Sequence, residues 1–182
     1  MCNDHYAVAL TVADNSYMGL DSLSFLNFDE AREKTKSVIQ VLTRGKKNLP
    51  STSMEGDVEA ESKNYKIKFR RQNGKRVLEF HMERFLNEKP ISGQILLTDE
   101  PEESMVIVTP FHKKKHFYYN QKINCMRAEG TVTVDGKDYA FDPAESFAVL
   151  DWGRGVWTYK NTWYWGSASG QVDGVPFGFN IG

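Results

Sequence analysis

The sequence has few of the features that mark disulfide-rich or membrane-spanning proteins. It contains 2 cysteines in 182 residues, Cys2 and Cys125, and their spacing fits neither a disulfide framework nor a metal site. No apolar run approaches the length of a membrane helix, about 20 residues. The first residues also lack the basic segment and apolar stretch of a signal peptide. We therefore expect a cytoplasmic protein with no integral membrane segment.

Excess charge is also missing, since the formal net charge is −1. A chain without a strong charge of one sign gives no general electrostatic reason to bind nucleic acid or an anionic membrane. We therefore expect no nucleic-acid partner, although one cluster is locally basic. That cluster comprises Lys66, Lys68, Arg70, Arg71, Lys75 and Arg76.

Aromatic residues and turn dipeptides are abundant, and together they indicate an all-β fold. Aromatics make up 13% of the chain, which is typical of strands and packed aromatic faces. Tight two-residue hairpins are predicted at Asn73-Gly74, Asp135-Gly136 and Asp173-Gly174, because these residues tolerate positive φ. Further strands are predicted at 17–28, 91–97, 104–109, 116–125 and 145–152. About a dozen short strands with regularly spaced turns predict an antiparallel barrel or sandwich built from hairpins.

One predicted hairpin can be tested against side-chain chemistry. A turn at Asn73-Gly74 pairs Phe69 with Leu78 and Lys68 with Glu79, and a turn at Lys63-Asn64 adds a third strand in a consistent register. One face of this meander is apolar. The other face carries opposite charges across from each other, so the basic cluster is interpreted as a self-neutralised sheet face.

Helical signal is weak, and the ends of the chain are strand-like. Only Asp29 to Leu42 could form a helix, and its apolar positions make no convincing stripe. Residues 43–54 are polar and predict a loop. Alternating segments at Tyr6–Val12 and Phe177–Ile181 lie close to the two ends, where a strand needs a partner. We interpret residues 1–182 as one β-rich domain, incomplete and part of a longer protein, with half of a tandem-barrel pair as one alternative.

The tryptophan-rich segment near the end is the strongest candidate for a binding site. A hairpin turned at Asp173-Gly174 separates two faces. One face combines small residues with aromatics and is interpreted as dry packing. The other mixes broad aromatics with hydrogen-bonding groups, as ligand pockets do. The alternative is a solvent-facing surface or a junction with a missing part of the protein. The predicted ligand-binding residues are Trp157, Trp163, Trp165, Ser167, Ser169 and Asn180.

Asp151 and Arg154 are the candidate catalytic residues. In an apolar cavity a desolvated Asp151 would serve as a general acid, with Arg154 as its modulator. The alternative is an ion pair between the two that braces a corner of the sheet. The four histidines have no recurring metal-ligand spacing, and no phosphate loop or nucleophile elbow is present, so we expect neither a metal nor a cofactor.

Three segments resemble the family labelled domain of unknown function 2804. They are Phe117–Gly130, Asp151–Trp157, and Trp163–Gly170 together with Phe179–Gly182. That family is distantly similar to the lipocalin-like group of carotenoid hydratases and tocopherol-cyclase relatives. The resemblance implies a calycin-like or lipocalin-like β-barrel with a cavity for an apolar or isoprenoid-like molecule, but it implies no reaction.

Two hypotheses follow, with a third behind them. The first is a non-catalytic binder of an apolar small molecule. The second is a cofactor-free lyase or isomerase on a lipid-like substrate, with Asp151 as the acid and the rings of Trp163 and Trp165 beneath a developing cation. The third is a carbohydrate-binding aromatic face. The oligomeric state is not indicated by the sequence.

Overall fold

The computed structural model describes all 182 residues, Met1–Gly182, and it is entirely β, as predicted. The strands are β1 (Tyr6–Asp14), β2 (Met18–Asn27), β3 (Arg32–Val41), β4 (Val58–Ser62), β5 (Tyr65–Gln72), β6 (Lys75–Leu86), β7 (Lys89–Thr98), β8 (Met105–Pro110), β9 (Phe117–Val134), β10 (Lys137–Phe141), β11 (Phe147–Val156), β12 (Gly166–Val172) and β13 (Val175–Ile181). All pairings are antiparallel. The chain contains no helix, and so none that could cross a membrane.

The strands form three sheets that do not close into a barrel. A small sheet has the order β1-β2-β3, a large sheet runs β10-β9-β7-β6-β5-β4 with β8 and β11 also paired to β9, and β12-β13 is a separate hairpin. Leu23 and Phe25 of the small sheet share one buried core with Ile67 and Phe80 of the large sheet. This core contains 21 buried apolar residues, so side chains fill the space between the sheets where a lipocalin-like barrel would hold its ligand.

The hairpin registers predicted from the sequence are confirmed. Phe69 pairs with Leu78 and Lys68 with Glu79, while β4 adds the third strand in the expected alignment. Lys68 Nζ lies 3.2 Å from Glu59 Oε2, in agreement with the predicted self-neutralised face. The turns at Asp135-Gly136 and Asp173-Gly174 also form as predicted.

The weak helical candidate at Asp29–Leu42 is instead strand β3, and its alternation explains why. Lys36, Val38 and Gln40 are half-buried, while their neighbours in the strand are exposed. This period of two fits a strand that pairs with β2 along its whole length. The polar segment 43–54 is a loop, as predicted.

Strand β9 organises the large sheet because its two halves have different neighbours. Residues Arg127–Val134 pair with β7 and Gly130–Val134 also with β10, whereas Phe117–Lys122 pair with β8 and Phe117–Arg127 with β11. Cys125 lies between the halves with φ of 63°, and the register of β11 shifts nearby between Ala148 and Leu150. The sheet therefore continues beyond the sandwich as a three-stranded extension of β8, β9 and β11, which carries the candidate site.

A buried polar cluster ties the 43–54 loop to the core. Asp21 is fully buried, and its carboxylate accepts hydrogen bonds from Lys47 Nζ at 2.5 Å, Tyr65 OH at 2.7 Å and Gln40 Nε2 at 2.9 Å. Burial, together with the hydrogen bond to the Asp21 carboxylate, raises the pKa of Tyr65 to about 12. The three donors satisfy the hydrogen-bonding needs of this buried carboxylate. The cluster therefore holds the 43–54 loop against the core.

Candidate functional site

The site lies on one face of the sheet extension, and strand alternation determines which side chains reach it. Tyr118 and Lys122 of β9 share this face with Asp151 and Gly153 of β11. Arg154 lies on the opposite face. The glycine leaves room for an aromatic ring, since a Cβ at Gly153 would lie 2.6 Å from Tyr118 Cε2. Gly153 and Gly155 of the segment Asp151–Trp157 therefore leave the space that Tyr118 occupies.

The expected ion pair between Asp151 and Arg154 does not form, because residues three apart in a strand point to opposite faces. Asp151 instead pairs with Lys122, its cross-strand neighbour. The Lys122 side chain is 4% exposed and that of Asp151 is 44% exposed. Arg154 Nη1 donates to the carbonyl of Ser51, 3.3 Å away in the 43–54 loop. The two candidate catalytic residues are thus not brought together.

Two of the predicted tryptophans lie against a tyrosine that the sequence did not single out, and the third lies over Lys122. The Tyr118 ring centroid lies 5.1 Å from that of Trp157 and 6.4 Å from that of Trp163, and the latter two rings are within 19° of parallel. Lys122 Nζ lies 4.4 Å from the ring centroid of Trp165. We call Tyr118, Trp157, Trp163 and Trp165 the aromatic cluster.

The aromatic cluster is open to solvent at one side and protected at the other. Trp163 is 61% exposed and Trp165 is 48% exposed, whereas Tyr118 is half-buried. Burial raises the pKa of Tyr118, and the nearby Asp151 carboxylate adds to the increase. The cluster therefore presents a broad apolar surface next to the ion pair of buried Lys122 with partly exposed Asp151.

The serine and asparagine side chains of the hairpin form hydrogen bonds that hold the hairpin against β9. Asn124 Nδ2 lies within hydrogen-bonding distance of Ser167 Oγ at 2.9 Å and the carbonyl of Ala168 at 2.8 Å. The backbone N–H of Cys125 donates to Ser169 Oγ at 3.0 Å, and Asn180 Nδ2 donates to the side-chain oxygen Oδ1 of Asn124. Segment 163–169 thus lies along β9, with alternate side chains facing it. Asn180 Oδ1 is buried and accepts no hydrogen bond.

The face of the hairpin interpreted as dry packing is in fact the outer face, and that expectation is wrong. Phe177 is 57% exposed, Phe179 is 43% exposed and Ile181 is 63% exposed. The reason lies at the β9 irregularity, where the N–H of Cys125 and the side-chain amide of Asn124 donate to Ser169 Oγ and Ser167 Oγ on the serine face. Satisfying these donors turns the phenylalanines outward.

Tyr118, Lys122 and Asn124 are the functional candidates that the sequence analysis missed. They alternate along one stretch of β9, as one-face residues of a strand do. That period of two was visible in the sequence. The pairing of this half of β9 with both β8 and β11 was not, and it decides which partners these residues meet.

Comparison with known proteins identifies a family but no activity. The model of the family described as domain of unknown function (DUF2804) matches residues 1–182. No curated protein and no solved structure matches the chain.

Proposed function

We propose that this chain, which belongs to the DUF2804 family across residues 1–182, is a non-catalytic protein that binds an apolar or isoprenoid-like small molecule on its aromatic cluster. The observation that carries the proposal is the grouping of Trp157 and Trp163 around Tyr118, with Trp165 beside them over Lys122. Rigid aromatic rings provide large contact areas with little loss of conformational entropy. The lipocalin-like relationship implied by the sequence is part of this proposal.

The contacts suggest how such a molecule would be held. The rings of Trp163 and Trp165 are partly exposed and fixed from below by Tyr118 and Lys122. An apolar chain lying against them would bury their outer surfaces.

Native mass spectrometry of the purified chain, compared with the same sample denatured, tests whether an apolar molecule accompanies it. Farnesol serves as a defined isoprenoid probe, with tryptophan fluorescence as the readout. We expect Trp163→Ala to weaken farnesol binding about tenfold or more, as truncation of a central aromatic contact does. Tyr164→Ala is the matched control, because Tyr164 is 85% exposed and points away from β9. Equal affinities in both variants, or no saturable quenching, would contradict the proposal.

The lyase or isomerase alternative depends on Asp151, and the geometry favours binding without turnover. Its carboxylate is bound to Lys122 and 44% exposed, and Arg154 lies on the other face of β11. Incubating the wild type and Asp151→Asn with a co-purified ligand is expected to give no product from either. Product from the wild type alone would establish the enzyme.

A carbohydrate ligand is the second candidate, favoured by the exposure of Trp163 and Trp165. Sugars stack on tryptophan faces that are open to solvent, whereas isoprenoids gain most from enclosure. Titration with soluble oligosaccharides in the same fluorescence assay separates the two. Saturable quenching by an oligosaccharide but not by farnesol would replace the first proposal.

We place the protein in the cytoplasm and without a nucleic-acid partner. Cys2 and Cys125 are free thiols, which suits a reducing compartment. Glu59 lies 3.2 Å from both Lys68 and Arg70, while Glu100 lies 2.9 Å from Arg76, so acids accompany the basic cluster. We expect fractionation to recover the chain with cytoplasmic markers, and gel-shift assays with duplex DNA to show no complex.

A further inference from the structure

A polar cleft of about 510 Å³ opens at the other end of the molecule from the aromatic cluster. Its lining has no hydrophobic residue and consists of Lys36, Lys63, Asn64, Glu83 and Arg84. Ile91 of β7 links this end of β6, through Met82, to Val134 at the end of β9. Lys122 lies twelve residues before Val134 in β9, or roughly 40 Å away at the rise of a strand. The cleft is therefore independent of the proposed ligand site.

Lys36 supplies a positive charge held in a fixed position. Its Nζ donates to the carbonyl of Glu83 at 2.8 Å and to the carbonyl of Arg84 at 3.0 Å. An ammonium group has three donors, so one remains for a ligand. These two bonds remove much of the freedom that a surface lysine would otherwise lose on binding.

The backbone around Arg84 is also preorganised. Arg84 has φ of 49° within the irregularity of β6 between Met82 and Leu86. The N–H of Glu83 donates to the carbonyl of Asn64 at 2.9 Å, which joins this irregularity to the turn between β4 and β5. A non-glycine residue in the left-handed region that is tied down on both sides is typical of a functional position.

The acidic groups nearby leave the cleft with a positive balance. Glu83 is the single carboxylate in the lining, and it lies 2.9 Å from His81 Nε2. Glu88 lies 3.7 Å from Arg84 Nε, and both side chains are at least 75% exposed, so this contact is weak. Arg84 therefore keeps its two terminal nitrogens for a planar, two-point interaction with an anion. Three cations face one carboxylate.

We propose that this cleft binds a phosphate group, either free or as a phosphoester. Lys36 and Lys63 supply point charges and Arg84 a two-point donor, which together suit a tetrahedral dianion. The absence of apolar lining makes the phosphate itself the recognised element.

Titration of the full chain with inorganic phosphate at constant ionic strength tests the proposal, with amide NMR shifts as the readout. We expect saturable shifts at Asn64, Glu83 and Arg84. Arg84→Gln should weaken binding about tenfold or more, since a hydrogen bond to a charged group is lost. Its side chain is 75% exposed, so the variant should fold. Lys114→Ala, in an exposed loop, removes the same charge and should change nothing.

Further titrations separate the sources of the phosphate group. Glycerol 3-phosphate and vesicles containing phosphatidic acid are compared with phosphate, and binding of either that is lost in Arg84→Gln supports the site and identifies the source. Acetate replaces phosphate as the control for a simple charge effect. Shifts that fail to saturate, that acetate reproduces, or that persist unchanged in Arg84→Gln would overturn the proposal.

Discussion

The two halves of β9 show how one strand serves two regions of different character. Its second half lies between β7 and β10, where Ala128, Val132 and Val134 are buried. Its first half lies between β8 and β11, and there Val106 and Val108 of β8 are 48% and 59% exposed. The sandwich thus holds the stabilising core, while the sheet extension carries surface that the chain itself does not cover.

This contrast separates stability from recognition. Apolar burial in the sandwich drives folding, whereas the extension is fixed mainly by strand pairing and by the hydrogen bonds of Asn124. Variants that damage one region should therefore leave the other largely intact. The following predictions test that separation, from the largest effect to the smallest.

Phe80→Ala should have the largest effect, because Phe80 is 2% exposed in the core. Truncation leaves a cavity, and we expect the free energy of unfolding to fall by about 3–5 kcal/mol. Phe177→Ala in the hairpin is the matched control, since that ring is 57% exposed, and its cost should stay below about 1 kcal/mol. Urea denaturation measures both, and similar losses in the two variants would show that the hairpin contributes to the same core.

Each region contains one lysine–aspartate ion pair, and the two pairs differ in how exposed the carboxylate is. Asp21 is fully buried beside Lys47, whereas Asp151 is 44% exposed beside Lys122. Asp21→Asn breaks a pair whose carboxylate is fully buried and also bound by Tyr65 and Gln40, and we expect a loss of about 3 kcal/mol. Asp151→Asn should cost about 1 kcal/mol, because water reaches that carboxylate and the buried Lys122 ammonium keeps its contact with the Trp165 ring. Reversal of this order in urea denaturation would contradict the assignment of the core to the sandwich.

Much of the sandwich was predictable because its registers carry local chemical signals. The turns at Asn73-Gly74 and Asp135-Gly136 fix adjacent strands, and the pairing of Lys68 with Glu79 confirms the face. The contact between Lys47 and Asp21 has no such signal, because it joins residues 26 apart through a loop. Long-range polar contacts of this kind follow from the packing of sheets and not from the local pattern.

The extension was less predictable for the same reason. The alternation of Trp163 and Trp165 with Tyr164 correctly separates two faces of the hairpin. Which face meets β9 depends on the donors of Asn124 and Cys125, and these are defined only once β9 has its neighbours. The sequence pattern therefore groups Trp163, Trp165, Ser167 and Ser169 on one face of the hairpin but assigns the wrong face to the interior.

Gly153→Ala tests the link between β11 and the aromatic cluster. The added methyl group would lie 2.6 Å from Tyr118 Cε2, so the ring must move. We expect a loss of about 1–2 kcal/mol from overpacking, together with a change in near-UV circular dichroism and weaker farnesol binding. Gly170→Ala is the matched control, because nothing lies within 4 Å of its added carbon. An unchanged aromatic spectrum in Gly153→Ala would refute the proposed contact.

Alkaline titration of Tyr65 in the sandwich and Tyr118 in the extension compares the two regions. Both have a pKa above the usual value of 10.0, through burial and a nearby aspartate, but Tyr65 is shifted further, to about 12. Tyr65 keeps its proton in the folded state at pH values where the unfolded chain has lost it. Its contribution to stability is therefore complete below pH 10 and is lost as the pH rises from 10 to about 12.

Urea denaturation across this pH range should show a decline in stability that Tyr65→Phe reduces strongly and Tyr118→Phe reduces less. Tyrosinate absorbance provides the independent measurement, and the last group to ionise in the wild type should be missing in Tyr65→Phe. The Tyr65 hydroxyl donates to a carboxylate that is fully buried, whereas Tyr118 lies near one that is 44% exposed. An equal effect of both substitutions would mean that water reaches the Asp21 cluster as freely as it reaches the extension.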